Sequence, residues 1–338
     1  MWTGGLKWMF LILGTMIGAG YASGRELWQF FGDDSGLAII LFMVLFSICC
    51  YIIMKISYEK QTIHYLPILE ALLGKRLARF YDLIIIFYLL TVTIVMLAGG
   101  GATLEMFSIP YWAGIIIMIV LLVVLFIWDV QGMVSMNSLL IPLLMIGLVS
   151  VLISFSLQNG QTWIIDWSKQ QNWPAAFTFT ALNILPLVAV LAAVGQKIKH
   201  KGEIWIASFG SGLLLGALSF LYNESLLQIA SEIVLYEIPL FAILQQYHYS
   251  MLIFMSIMLW GAIYTTAASG ILGLTSRFRK RISLPLWIMT LLLLLVMAPL
   301  TTVGFSTLVA ILYPLYGLLN LYVLAAILLY PIANRYKW

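Results

Sequence analysis

Polar side chains along this chain fall in short clusters, and the intervals between them are almost wholly apolar. About 20 mostly apolar residues carry a helix across the hydrocarbon core of a bilayer. Intervals of that length run over 8–31, 36–57, 82–105, 112–130, 134–157, 175–196, 203–223, 249–274, 284–301 and 305–331. The pattern predicts an all-α integral membrane protein of about ten spanning helices. The interval 226–244 is also fairly apolar, yet it holds Glu232, Glu237 and Pro239, each costly at mid-bilayer. We read it as two short helices broken at Pro239 that lie over one end of the protein as a lid. The stretch 63–78 carries Leu66, Leu69, Leu73 and Leu77 at helical spacing and reads as a helix lying in the interface.

Charge fixes a direction. With the N-terminus in the cytoplasm and the spans alternating, all of the 17 Lys and Arg except Arg25 and Lys169 fall inside. An eleventh span at 226–244 would move Arg277–Arg281 outside. Both termini are therefore expected in the cytoplasm, with the chain in a cell (bacterial-type inner) membrane.

Composition agrees: 63% of the residues are apolar and 9% charged, against roughly 25% charged in soluble domains. The net charge of +4 is scattered and forms no basic stripe, so nucleic acid is not an expected partner. The bilayer is. Cys49 and Cys50 sit side by side in an apolar run and read as small fillers. Lys7, the apolar run 8–17 and Gly20-Tyr21-Ala22 could pass for a secretory signal. Apolar character resumes at Leu27–Phe31, so one interrupted span is the better reading. Trp163, Trp167 and Trp173 suit interfacial anchoring. Nothing marks a separate soluble domain, and the chain reads as one transmembrane unit whose halves run over about 8–157 and 175–331.

The first span carries Gly14, Gly18, Gly20 and Gly24 at membrane depth. Such a cluster invites a break, and Ser23-Gly24-Arg25-Glu26 has the spacing of a capping box from which a second helix half could start. Broken helices at this depth are tolerated where they line a cavity or lie buried in protein, and their ends bind ions and carboxylates. Gly14-x-x-x-Gly18 and Gly20-x-x-x-Gly24 are also close-packing motifs, so this segment alone leaves packing and binding open. Asn183-Ile184-Leu185-Pro186 interrupts the sixth span, where Pro186 frees the Leu182 carbonyl. The first and sixth spans hold matching positions in two five-helix halves, the arrangement of transporter sites. In the eighth span, Ala262, Thr265 and Thr266 supply a carbonyl and two hydroxyls. They suit a small hard cation, or the hydroxyls bond their own helix. Arg25 and Glu26 read either as part of an outer gate or as a cap beside an interfacial charge.

The run from Gly14 to Leu27, followed by Phe30-Phe31, resembles the opening of the YkvI-type bacterial membrane proteins. That family is similar to the amino acid–polyamine–organocation superfamily, whose members share the LeuT-like fold of two inverted five-helix repeats. The resemblance implies discontinuous first and sixth helices and secondary transport. It implies a Na⁺ held by the carbonyls of Gly14, Ile17 and Ala262 and the hydroxyls of Thr265 and Thr266. It also implies a substrate carboxylate at the amides of Gly18, Ala19 and Gly20, with Asn183 as the other wall and Tyr88 as a looser candidate. Many relatives have twelve helices where ten are expected here. Proton-coupled relatives can carry a lysine in the fifth helix, and residues 133–157 contain none.

The function expected is secondary active transport of an amino acid or similar small zwitterion, coupled to Na⁺ and needing no other cofactor. Proton coupling, exchange, or ligand sensing on a transporter scaffold are the alternatives. Catalysis is disfavoured, because His64, His200 and His248 fall in loops or at helix ends and no H-E-x-x-H or G-x-S-x-G occurs. A channel is disfavoured for want of a charged ring or filter segment.

Overall fold

The computed structural model describes residues 1–128, 131–160, 167–278 and 284–334, with side chains described outside 128–138 and 276–278. Trp163, Arg279, Lys280, Arg281, Arg335 and Lys337 lie outside the described residues, as does the Arg277 side chain.

Among the described residues every regular element is a helix, and none is a strand. The first span is three pieces, α1 (Trp2–Met16), α2 (Ala19–Ala22) and α3 (Arg25–Phe30). Then come α4 (Gly36–Lys60), α5 (Leu66–Glu105), α6 (Tyr111–Trp128) and α7 (Gln131–Gln158). The second half holds α8 (Ala175–Ala192), α9 (Lys201–Gln228), the short α10 (Ala230–Ile233) and α11 (Pro239–Leu244), and α12 (Tyr249–Phe278). It closes with α13 (Leu286–Met297), α14 (Phe305–Leu319) and α15 (Leu321–Ala333). Eight of these stretches are long and apolar enough to cross a membrane, counting α13 with the 3-10 turn after it and α14 with α15. The shorter apolar α6 and the interrupted first span complete ten passes.

Helix packing sorts the spans into two groups. α1 and α4 lie against α9, and α4 also against α8, while α5 lies against α6 and α12, and α12 against α7. α14 touches both groups, through α8 and through α5. The short α2 reaches across to α12, so the break in the first span lies on the seam between the groups.

The two short helices form as expected, α10 and α11 being separated by a turn before Pro239. The interfacial stretch joins the third span as the start of α5, bent where Gly74 takes φ +76°.

The sixth span differs from its expectation. α8 stays helical through Asn183, Ile184, Leu185 and Pro186. Pro186 removes one amide from the ladder, a loss an 18-residue helix absorbs, and the Asn183 side chain bonds the Phe179 carbonyl at 2.9 Å in the turn before. The helix ends at Ala192, where the Leu191 carbonyl takes the Ser57 hydroxyl at 2.9 Å and the Ala192 carbonyl the Thr62 hydroxyl at 2.8 Å.

Candidate functional site

Two conformational changes cut the first span. Ile17 takes φ −82° and ψ 66°, and Gly18 takes φ −85° and ψ −173°, which ends α1. A continuous helix would send the Gly18 amide to the Gly14 carbonyl. Here it turns to Met16 at 2.9 Å, and the Ile17 amide keeps Leu13 at 2.8 Å. No amide then reaches the carbonyls of Gly14 and Ile17 among the described residues, and the amides of Ala19 and Gly20 find no backbone acceptor. Unpaired backbone groups at bilayer depth cost several kcal/mol each unless something else satisfies them. The break thus offers acceptors on one side and donors on the other. The Gly18 amide, expected on the donor side, is spent on Met16.

The eighth span meets this break. A Cβ on Gly18 would lie 3.6 Å from the Thr266 hydroxyl oxygen. Thr265 and Thr266 both donate to the Ala262 carbonyl, at 3.2 and 2.8 Å. Each hydroxyl oxygen keeps lone pairs that a cation could share. Ile17 and Ala262 are buried, as is Thr265. Gly14 faces Ile141 of α7 across the bundle.

The second change is at Gly24, with φ +79°. A Cβ there would meet the Tyr222 ring at 2.8 to 2.9 Å, so both the left-handed backbone and the close approach of Tyr222 require glycine. The capping box does not form. The Ser23 amide is already spent on Ala19 at 2.9 Å, leaving Glu26 no donor to reach back to. The Glu26 carboxylate instead turns inward, where Oε1 accepts the Asn183 side-chain amide at 3.2 Å. Its Oε2 lies over Gly20, where a Cβ would come within 2.7 Å of it and 3.1 Å of the Tyr313 ring. Tyr88 and Tyr313 share the electrostatic neighbourhood of this carboxylate, and Tyr88 stacks edge-on to Tyr316 at 5.3 Å.

Arg25 diverges from its neighbour. Its electrostatic partner is Glu237, in the lid, and Glu237 accepts the Ser306 amide at the start of α14 at 2.6 Å. Among the residues expected at the site, the geometry gathers Gly18 with Thr266 and Asn183 with the inner face of α3. Glu26 was not among the expected binding residues. A carboxylate between a glycine cluster and the apolar run 27–31 was a sufficient signal, and the capping-box spacing absorbed it.

Hydrogen bonds tie the first span down at both of its ends. At the lid end, Leu240 N–H donates to the Ser23 carbonyl at 3.0 Å, and Tyr222 O–H to Ala22 at 3.0 Å. The Asn172 side chain bonds the Phe30 and Phe31 carbonyls at 3.0 and 2.8 Å, over the rings of Phe30, Phe31, Phe42 and Phe179. At the other end Trp8 Nε1 donates to Glu203 Oε2 at 2.9 Å. A groove of about 320 Å³ lined by Thr103, Phe107, Ile117, Ser256 and Trp260 opens on the flank. Its lining is nearly all apolar, as acyl chains require, and it includes no residue of the break.

The chain is 53% identical over 337 residues, all of both chains, to the Bacillus subtilis protein YyaD. It is 25% identical over 332 residues, 94% of each chain, to the Bacillus subtilis membrane protein YkvI. No protein-family model matches it. In three dimensions it resembles MhsT in complex with L-phenylalanine, with TM-score 0.69, 13% identity, and 98% of this chain and 89% of that one covered. It also resembles the Eremococcus coleocola manganese transporter (0.64, 13%, 95% and 77%) and a Na⁺-coupled sialic acid symporter in a substrate-bound outward-open state (0.61, 14%, 95% and 77%). At these identities the likeness establishes the fold, which is LeuT-like.

Proposed function

The chain belongs to the family of YyaD and the membrane protein YkvI, built on the LeuT-like fold, and from that premise we propose that it is a secondary transporter of an amino acid or similar small zwitterion, coupled to Na⁺. The observation that carries this reading is the break in the first span. It leaves the carbonyls of Gly14 and Ile17 and the amides of Ala19 and Gly20 without backbone partners, with Thr266 beside Gly18 and with Glu26, which accepts from Asn183, beside Gly20. A cation and a carboxylate are the two ligand types such helix ends attract.

In this reading Gly14, Ile17, Ala262, Thr265 and Thr266 hold the Na⁺ through oxygen alone, which suits a hard monovalent ion. The Ala19 and Gly20 amides take the substrate carboxylate, with Gly18, Asn183 and Tyr88 forming the surrounding wall. The two groups of spans rock against each other about the seam, exposing the break to the two sides of the membrane in turn. The distribution of Lys and Arg supports a cytoplasmic N-terminus and a lid facing outward, in the cell membrane. Two proteins of this fold bear on the solute and the ion, since MhsT is seen with L-phenylalanine and the sialic acid symporter is Na⁺-coupled.

The test is thermal melting of the detergent-purified protein in NaCl and in KCl, each with the protein amino acids added singly. A ligand at 100 times its Kd adds about 2.7 kcal/mol to the folded state. The expected result is a Na⁺-specific gain that deepens with one solute. Stabilisation by a solute that ignores Na⁺ would move the reading to proton coupling or exchange.

A further inference from the structure

The Glu26 carboxyl group has more hydrogen-bonding capacity than its surroundings answer. Its side chain is 5% exposed, at the meeting of the first, third, sixth and tenth spans. Oε1 has the Asn183 amide, while Oε2 lies beside Gly20 and the Tyr313 ring. The adjacent cation, Arg25, has Glu237 as its electrostatic partner. Among the described residues no basic side chain ion-pairs with Glu26. An ionised carboxylate left with one amide at this depth costs several kcal/mol of lost solvation. Charge retained inside a spanning segment at that cost marks a ligand site or an ion path.

The surroundings specify the ligand. A hard divalent cation takes six to eight oxygen ligands, and no group of three or more His, Cys, Asp or Glu occurs among the described residues. A single carboxylate beside an amide oxygen and tyrosine rings suits an organic ammonium group. Such a group donates several hydrogen bonds and is drawn to aromatic faces. The Ala19 and Gly20 amides stand on the same break, so one small solute could present its carboxylate to them and its nitrogen to Glu26.

We propose that Glu26 anchors the ammonium group of the carried solute, with Asn183 orienting the carboxylate, and that the substrate class is therefore a primary amine, zwitterionic or cationic, rather than a plain organic acid. This rests on the transport reading and adds to it a requirement that reading lacks.

The test is thermal melting of wild-type protein, Glu26→Gln and Glu26→Asp with the protein amino acids. Each is set beside its desamino acid and its decarboxylated amine (for leucine, 4-methylpentanoate and 3-methylbutylamine), with NaCl and MnCl₂ alone as cation controls. At least one primary amine should stabilise the wild type while its desamino counterpart does not. Glu26→Gln should weaken that amine about tenfold or more, the scale of a lost charge-assisted hydrogen bond, and Glu26→Asp should weaken it less. Equal affinity in wild type and Glu26→Gln would overturn the proposal. So would a desamino acid that binds as well as its amine, Glu26-dependent stabilisation by NaCl or MnCl₂ alone, or the failure of every amine. If Glu26→Gln does not fold, the comparison of amine with desamino acid on the wild type decides. An amine that binds through Glu26 but shows no counterflow in vesicles would keep the anchor and remove the transport reading.

Discussion

The Leu240 amide donates to the Ser23 carbonyl at 3.0 Å, so the second lid helix is bonded directly to the broken first span. Glu237 fastens the same lid to the start of α14 through the Ser306 amide. Glu237→Ala removes the second fastening and the partner of Arg25 together. A Cys placed at Ser23, with Cys49 and Cys50 changed to Ala, should then label faster with a membrane-impermeant thiol reagent than the same Cys under an intact lid. An unchanged labelling rate would mean that α10 and α11 are no lid.

Gly24 has the positive φ that α3 needs to begin, with Tyr222 against it. Gly24→Ala should cost about 1–3 kcal/mol through backbone strain and overpacking. It should also push Tyr222 off the Ala22 carbonyl. Removing the ring as well, in Gly24→Ala with Tyr222→Ala, should leave a deficit, because φ stays positive whatever the space. Full recovery of the melting temperature in that double variant would show that crowding alone fixes the glycine.

At the opposite end, Trp8 Nε1 and Glu203 form a buried bond between α1 and α9. Trp8→Phe takes away the donor and leaves a carboxylate whose next donor, the Lys199 amide, stands at 3.5 Å. The expected loss is about 1.5–3 kcal/mol. Glu203→Gln should cost less, since its amide oxygen still accepts. Trp8→Phe should also make the first residues more open to protease. A Glu203→Gln loss equal to that of Trp8→Phe would deny the carboxylate any special part.

Thr265→Ala with Thr266→Ala removes two hydroxyls that, among the described residues, bond only the Ala262 carbonyl of their own helix. Such local bonds contribute little to the fold, so melting in KCl should change little. The added stability in NaCl should vanish, and Na⁺-driven uptake with it. Uptake that persists at wild-type level would end the assignment of these residues to a cation.

The spans were legible because a bilayer imposes one crude requirement, length without charge, and ten intervals met it. The lid was legible for the converse reason, since Glu232, Glu237 and Pro239 barred 226–244 from crossing. The break was legible in its glycines, although Gly18 turned out to spend its amide on Met16. The sixth span misled because Pro186 guarantees one lost hydrogen bond and not an unwound turn. Glu26 misled because local spacing, Ser23 to Glu26, has no information about Asn183, 157 residues further along. Pairings of that kind depend on which helices lie side by side, and one-dimensional periodicity does not record it.

α9 touches every piece of the first span. Glu203 at its start takes Trp8; Ser219 lies 2.8 Å from the Tyr21 oxygen; Tyr222 bonds Ala22; and Asn223 exchanges bonds with Gly32 at 2.9 and 3.0 Å. From Glu203 to Asn223 an α-helix runs about 30 Å. One stiff rod therefore clasps the whole interrupted span, so in the proposed rocking the pieces α1, α2 and α3 would travel with α9 as a single body, like beads threaded on a splint.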